Sequence, residues 1–197
     1  QLKMSPEEHL AHIKQTIDYA LSRDFTVNLY LEDWSSGMRD SRDYLFTMMD
    51  ELVKLPIKRF LLPDTLGILN PLQCVEYMRQ MVRRYPNSHF DFHAHNDYDL
   101  AVSNSLAAVL SGAKGLHVTV NGLGERCGNA PLASVQVILK DMFEAKTNIK
   151  EDRLNDISRL VEGYSGIAVA PNTPVVGDNV FTQVAGVHAD GDNKDKL

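Results

Sequence analysis

The chain has 197 residues, of which 44% are hydrophobic and 23% charged, and its formal net charge is −6. This composition suffices for one buried core, and the absence of Lys/Arg blocks argues against nucleic-acid and anionic-membrane partners, so we expect small-molecule ligands. No apolar run approaches the ~20 residues that span a bilayer, and the two cysteines, Cys74 and Cys127, form no CxxC pair, which predicts a cytoplasmic protein without a disulfide framework.

The first predicted element is a helix that begins at Ser5, with Pro6 in its first turn and Glu8 placed to close a capping box. Apolar residues then recur at helical spacing, at Leu10, Ile13, Ile17 and Leu21. A β-rich segment that alternates in polarity predicts a strand at 26–31, and residues 43–55 return to helical periodicity.

Three further pairs of a strand and a helix follow. The strands are predicted at 59–62, 89–95 and 115–120, and the helices at 71–85, 97–111 and 131–144. Strands that alternate with long helices pair in parallel through right-handed crossovers, so the predicted fold class is α/β. A last helix at 151–162 leads into residues 170–174, whose composition is typical of a linker.

Polar side chains gather where the predicted strands end. In chain order they are Glu32 with Asp33, Asp64 with Thr65, His93 with His95, and Asn121. A doubly wound sheet and a (β/α)8 barrel both bind ligands at this end of their strands, so the coincidence predicts a single site. Four βα units make half a barrel, and the element pattern alone does not decide between the two folds.

The strongest local signal is the HAHND segment at 93–97. Because side chains alternate along a strand, Asp91, His93 and His95 share one face. Two imidazoles about 7 Å apart can converge on one ion, and imidazole suits Zn, Mn, Fe or Ni. The alternative is a polar interior in which the histidines bond to Asp91 and its neighbours.

The second signal is the glycine-rich NGLGERCGN segment at 121–129, between the fourth strand and its helix. It fails the dinucleotide pattern because Cys127 stands where a glycine is needed. Such a loop lets the backbone approach a ligand closely, and the helix after it offers free N–H groups to an anion. We interpret Glu125 and Arg126 as a structural ion pair. Asn129 is either an amide ligand or a helix cap, and the residues alone favour the cap.

Three other positions carry open alternatives. Tyr30 and Glu32 share a strand face, and a partly buried Glu32 would have a raised pKa and serve as a base, or it would only cap a helix. Thr65 can donate its hydroxyl to a substrate carboxylate, while Asp64 suits a turn. His188 lies in a glycine-flanked stretch and is either a mobile catalytic group or an ordinary surface histidine, the latter being the default.

Taken together, five segments resemble the aldolase-type barrel enzymes that join acetyl-CoA to a 2-oxo acid, namely the isopropylmalate, citramalate and homocitrate synthases. They are LYLED at 29–33, LPDTLG at 62–67, HAHND at 93–97, NGLGERCGN at 121–129 and GVHADG at 186–191. They stand in the family's order over nearly the whole chain. The resemblance implies the C-terminal part of an HMG-CoA-lyase-like (β/α)8 barrel over residues 1–168, followed by a linker region at 169–197.

The resemblance also implies the roles of the site residues. A divalent metal (Mn, Zn or Mg) would be held by His93, His95 and, against the cap interpretation, Asn129. Acid–base work would fall to Glu32 and His188, the latter reaching a neighbouring subunit's site in a homodimer. Substrate binding would fall to Tyr30, Thr65 and Asn96, with Thr65 on the carboxylate of the oxo acid.

The substrate expectation depends on Tyr30, two residues before Glu32, where many isopropylmalate synthases have a small residue. A bulky ring would shrink the pocket toward pyruvate, which gives citramalate. The alternative is 2-oxoisovalerate, the substrate of 2-isopropylmalate synthases. Both reactions serve branched-chain amino-acid biosynthesis. One missing methylene discriminates by only ~1–3 kcal/mol, so this position does not settle the choice.

This sequence departs from the family pattern in two ways. The family's barrel begins with a strand that carries an Arg-Asp pair, and no such strand is found here. The family also has a Tyr beyond the final His, and this Tyr is not found either. We therefore expect a fragment with little activity of its own. Two other classes stay open. An acyl-CoA lyase on the same barrel would cleave where a synthase condenses, although residues 181–192 resemble the synthases. A half-barrel would otherwise serve as a non-catalytic assembly module.

Overall fold

The computed structural model describes residues 4–182. Its elements are α1 (Pro6–Leu21), β1 (Asn28–Tyr30), α2 (Trp34–Asp40), α3 (Arg42–Leu52), β2 (Arg59–Asp64), α4 (Pro71–Arg84), β3 (Phe90–Ala94), α5 (Ala101–Leu110), β4 (Gly115–His117), α6 (Leu132–Phe143) and α7 (Leu154–Ser165), with 3-10 turns at Val120–Gly122 and Glu151–Arg153. The chain divides into two compact units, one up to Pro131 and one from Leu132 onward.

The four strands form one parallel sheet in the order β1-β2-β3-β4. The register places Pro63 beside His93, and His93 beside His117. Tyr30 on β1 nevertheless reaches His117 on β4, with a distance of 2.6 Å from its hydroxyl to Nδ1. Side chains from the two outer strands can meet above β2 and β3 only if the sheet is curved, so the site residues stand on a concave face.

The opposite face of the sheet carries the core of the first unit. Its largest fully buried side chains include Trp34, Met38, Met49, Leu62, Met78, Met81, Phe90 and Phe92. The rings of Trp34 and Phe92 meet edge to face with centroids 6.3 Å apart, an arrangement that aromatic pairs prefer. Helices α2 to α5 therefore cover one side of the sheet and leave the concave side to the polar residues.

The predicted elements are largely confirmed. Helix α1 begins at Pro6 with the predicted capping box, in which the Glu8 N–H donates to the Ser5 hydroxyl at 3.2 Å and the Ser5 N–H to the Glu8 carboxylate at 2.8 Å. The sequence missed α2, and it started α5 four residues early, since Ala101 is its first residue. Strand β4 ends at His117 and not at residue 120.

The second unit contains α6 and α7. Its core is formed by Ala133, Leu154 and Val176, with Lys140 and Glu151 paired at its surface. The domain boundary proposed after residue 168 stays a prediction. Within residues 4–182, no helix combines the length and the apolar character that crossing a membrane requires.

Asp64 fixes the turn that follows β2. Its buried carboxylate accepts the N–H of Ile68 at 3.0 Å and the N–H of Leu69 at 3.1 Å, and burial raises its pKa. The interpretation of Asp64 as a turn former is therefore supported by the contacts of both its oxygens. These bonds set the direction in which the loop after β2 carries Thr65.

We expect Asp64→Asn to lower the free energy of unfolding by roughly 1–3 kcal/mol, because the amide NH2 then faces a backbone N–H without an acceptor. Urea unfolding measures the change. The exposed Asp152 offers a control, and Asp152→Asn should stay within about 0.5 kcal/mol of the parent. Equal effects of the two substitutions would contradict the role given to Asp64.

Candidate functional site

The two histidines of the HAHND segment lie together at the carboxyl end of β3. Their ring centroids are 5.0 Å apart and the rings are nearly perpendicular, so His93 and His95 point to the same side. The Nδ1 atoms of both are buried without a hydrogen-bond partner among residues 4–182. Buried polar atoms are normally paired, so two orphaned imidazole nitrogens in one place indicate a ligand site.

The glycine-rich loop folds back onto the end of β3. Its backbone is hydrogen-bonded there twice: the Asn96 N–H donates to the Gly128 carbonyl at 3.0 Å, and the Ala130 N–H to the Ala94 carbonyl at 3.2 Å. A bridge also pairs His95 with Asn129. The loop thus brings Asn129 beside the histidines, although 34 residues separate it from His95 in the sequence.

The amide of Asn129 has a fixed orientation. Its Nδ2 donates to the Leu123 carbonyl at 3.0 Å, while Oδ1 is buried without a partner in the described chain. The side chain caps no helix there, and the cap interpretation loses its basis. An amide oxygen held in this way is a further acceptor next to the two imidazoles.

Two glycines make room for this arrangement. A Cβ at Gly128 would lie 1.9 Å from the Gly122 carbonyl oxygen, and Gly128 has φ +80°. A Cβ at Gly124 would lie 2.0 Å from Nδ2 of Asn129. Any side chain at either position would therefore push apart the loop or the amide that it holds.

His117 belongs to the same cluster, and the sequence interpretation missed it. Its ring lies 5.9 Å from that of His93 and 5.6 Å from that of Tyr30, edge to face in both cases. Tyr30 is still 48% exposed, and burial together with the Glu32 and Asp91 charges raises its pKa. The signal that could have identified His117 is the parallel register that sets it beside His93.

Glu32 and Thr65 form a second pair at the rim. The Thr65 hydroxyl donates to Glu32 Oε1 at 2.9 Å and accepts the Asp33 N–H at 3.0 Å. Glu32 is exposed, so the partial burial assumed for it is absent. Both side chains come together as the sequence predicted, and their catalytic and substrate-binding roles stay predictions.

Arg126 ties three loops together. Its guanidinium donates to both carboxylate oxygens of Asp97, at 2.7 and 3.0 Å, and to the Thr65 carbonyl at 2.7 Å. Glu125 is 3.8 Å away and largely exposed, so the main ion pair is Arg126 with Asp97 and not with Glu125. This contact lowers the pKa of Asp97.

The remaining predicted residues are placed as follows. The Asn96 amide is occupied at both ends, accepting the Ala101 N–H at 3.0 Å and donating to Asp99 at 3.2 Å, which organises the start of α5. Its role in substrate binding stays a prediction. His188 lies outside the described residues.

Burial raises the pKa of Cys74 to about 12, which suits a core thiol.

A cleft of about 580 Å³ opens beside β1 between α1 and α3. Tyr30 and Glu32 contribute to its lining, but the two histidines of β3 do not. Most of its wall consists of apolar side chains of the core side, such as Leu29 and Trp34. The cleft therefore adjoins the histidine cluster without containing it.

Residues 1–161 match the model of the HMGL-like family. The chain belongs to the HMGL-like family. A relative from Methanopyrus kandleri named as an (R)-citramalate synthase is 38% identical over 100% of this chain, and a homocitrate synthase of Saccharolobus islandicus is 42% identical over 96% of it. The chain spans 38% and 40%, respectively, of the lengths of these two relatives.

The HMGL-like fold is also found among solved structures. The crystal structure of the HMG-CoA lyase of Bacillus subtilis superposes with a TM-score of 0.77 at 23% identity, over 91% of this chain and 62% of that one. The expected α/β fold, built from βα units of a (β/α)8 barrel, is thereby confirmed. Identity at this level shows the shared fold alone.

The HMGL-like chain has a donor set that fits a divalent metal. Two imidazole nitrogens and one amide oxygen are buried without partners among residues 4–182, and they belong to residues that lie side by side at the end of β3. Among residues 4–182, no three His, Cys, Asp or Glu side chains gather as a metal site would need, so a site at these histidines would require a donor of another kind, such as the Asn129 carboxamide. Imidazole and amide oxygen are both ordinary ligands of divalent ions.

The pKa of His93 is lowered to about 4, first by burial and then by the neighbouring His95 and His117. In the unfolded chain His93 takes up a proton near pH 6.5, whereas the folded chain resists it until about pH 4. Its contribution to stability is therefore complete above pH 6.5 and falls as the pH drops toward 4.

We expect the free energy of unfolding in metal-free buffer to decrease over this pH window, and His93→Asn to flatten that decrease. Because Asn carries no titratable group, the slope against pH is the quantity to compare, whatever the absolute stability. Urea titrations at several pH values measure it. An unchanged slope in His93→Asn would contradict the assignment.

Proposed function

We propose that this chain supplies the metal site and the oxo-acid pocket of an acyltransferase that condenses acetyl-CoA with a 2-oxo acid, with pyruvate as the preferred acceptor and citramalate as the product. The observation that supports the proposal is that three neighbouring residues at the carboxyl end of β3, His93, His95 and Asn129, each have a buried side-chain nitrogen or oxygen without a partner among residues 4–182. Ligands bind at this end of the strands in parallel α/β barrels.

His93, His95 and Asn129 would hold the divalent ion. The ion would act as a Lewis acid, polarising the 2-oxo carbonyl and stabilising negative charge on its oxygen. The low pKa of His93 keeps that imidazole neutral, and hence able to donate its lone pair, throughout the physiological pH range. The hydrogen bond from Asn129 Nδ2 to Leu123 keeps the amide oxygen turned inward.

Thr65 and Tyr30 would position the oxo acid. The Thr65 hydroxyl, now donated to Glu32, can turn to a substrate carboxylate because threonine rotates its hydroxyl to suit the acceptor. The Tyr30 ring stands over the concave face, 6.4 Å from the His93 ring. In this proposal the ring would occupy volume that a larger acceptor such as 2-oxoisovalerate needs. Asn96 would act less directly, by holding the loop after β3.

Glu32 and His188 would share the acid–base work. One of them would remove a proton from the acetyl-CoA methyl group, and the resulting carbanion would attack the oxo carbon. The other would give a proton to the alkoxide that forms, and water would then hydrolyse the thioester to release CoA. The exposed Glu32 carboxylate is open to solvent and to a substrate, and Thr65 fixes one of its oxygens. We further propose a homodimer in which His188 serves the neighbouring subunit's site, as the family resemblance implies.

We expect the purified chain to bind Mn²⁺ or Zn²⁺, and His93→Ala with His95→Ala to abolish binding. Elemental analysis after dialysis and calorimetric titration measure it. His12→Ala, at an exposed position of α1, is the control for a lost imidazole and should leave the metal content unchanged. Equal metal content in the double variant and the parent would contradict the proposed metal site.

Gly124→Ala tests the third ligand separately. A Cβ there meets Nδ2 of Asn129 at 2.0 Å, so the amide must turn and metal affinity should fall by an order of magnitude or more. Gly163→Ala is the matched control, since nothing lies within 4 Å of its Cβ. Gly163 lies in the last turn of α7, so this substitution should change stability by no more than about 0.5 kcal/mol and leave metal binding unaffected.

Release of free thiol from acetyl-CoA tests the reaction, and it is measured at high protein concentration because little activity is expected of this chain by itself. We expect release to depend on an added 2-oxo acid, with a higher kcat/KM for pyruvate than for 2-oxoisovalerate. Glu32→Gln should lower kcat by about 100-fold or more, as loss of a positioned base does. Thiol release that is independent of any oxo acid, or cleavage of a hydroxyacyl-CoA, would contradict a condensing enzyme and favour a lyase.

A further inference from the structure

His117 lies on the concave face between Tyr30 and Asp91. Its Nδ1 is 2.6 Å from the Tyr30 hydroxyl, and its Nε2 is 3.7 Å from Oδ2 of Asp91. The two ring nitrogens thus face two chemically different groups, one a neutral hydroxyl and the other a buried carboxylate. A separation of 3.7 Å is longer than a hydrogen bond, but the negative charge of the carboxylate favours an N–H on the nitrogen that faces it, so the proton is favoured on Nε2 and Nδ1 is left as an acceptor.

This tautomer decides the direction of the bond to Tyr30. With Nδ1 unprotonated, the Tyr30 hydroxyl must donate, and its single proton is then engaged with His117 and unavailable to a substrate. The ring also touches His93 edge to face, so Tyr30 is held at both its hydroxyl and its ring. Tyr30 would therefore act on a substrate through the space that its ring fills, and not through its hydroxyl proton.

Gly115 makes room for the carboxylate behind His117. It pairs in register with Asp91, and a Cβ at this position would lie 2.3 Å from Oδ1 of Asp91. Asp91 is 1% exposed and is further held by His89 at 2.7 Å and by Arg59 at 3.3 Å. A residue without a side chain in this strand position allows the carboxylate to sit beneath the imidazole.

We propose that His117, oriented by Asp91 in the space left by Gly115, is the positioning residue that holds the Tyr30 ring over the oxo-acid pocket and so sets the acceptor size that the pocket admits. The inference rests on the proposed function for its substrate and on the Asp91–His117–Tyr30 contacts for its mechanism. His117 touches no substrate in this role and acts only through Tyr30.

The selectivity test compares kcat/KM for pyruvate with kcat/KM for 2-oxoisovalerate in His117→Phe, Tyr30→Phe and the double variant. Each single variant keeps an aromatic ring and loses the hydrogen bond, so we expect the ratio to shift toward the larger acid by roughly three- to tenfold. The double variant should shift it no further, because both substitutions remove the same bond. If the effects of the two single substitutions multiplied in the double variant, the proposal would be overturned.

A second tyrosine–histidine pair provides the control. His9 Nδ1 and the Tyr44 hydroxyl are 2.5 Å apart on α1 and α3, outside the histidine cluster. Tyr44→Phe and His9→Phe remove a hydrogen bond of the same kind and should leave the selectivity ratio at the parent value. A shift as large as that of His117→Phe would assign the effect to general loosening of the fold.

Nitrogen-15 spectra of the histidine rings test the orientation without any activity. We expect the unmutated protein to show His117 with its proton on Nε2, and Gly115→Ala to lose that preference. A proton on Nδ1 in the parent would overturn the proposal. If the parent condenses no oxo acid, the proposed function fails, while the ring spectra still decide whether Asp91 and His117 orient Tyr30.

Discussion

The site depends on the return of the glycine-rich loop onto the end of β3. Two backbone hydrogen bonds, from Asn96 to Gly128 and from Ala130 to Ala94, close this return and place Asn129 beside His95. Without them, the two histidines would form a pair on an open strand end. With them, the Asn129 amide from the next βα unit lies beside His95, so the metal-binding proposal depends on backbone geometry as much as on the side chains of the proposed ligands.

The chemistry of the concave face follows from strand alternation. Asp91 and His93 point inward along β3, while Phe90, Phe92 and Ala94 pack into the core. The same alternation lowers the pKa of His93, because the imidazole stands half-buried among other imidazoles. Folding therefore keeps the His93 imidazole free of its second proton at some expense of stability in acid.

Much of this could be read from the sequence, because strong local signals determine it. The capping box of α1 is confirmed, and so is the alternation through β3, where Phe92 packs against Trp34 on the core side and His93 lies against His117 on the other side. Helix α2 was missed because its seven residues include Gly37 and only two apolar residues, Trp34 and Met38, which is too few to reveal a period. His117 was missed since a lone histidine in a short strand has no local pattern. Its partners Tyr30 and Asp91 lie on other strands, so only the register reveals them.

The Arg126 guanidinium has a consequence for engineering. It joins the loop after β4 to Asp97 in the loop after β3 and to the Thr65 carbonyl after β2. A graft that replaces one of these loops would leave the other two without a shared anchor. Swapping acceptor preferences between relatives therefore calls for transplanting all three segments as a unit, with the arginine and its aspartate retained.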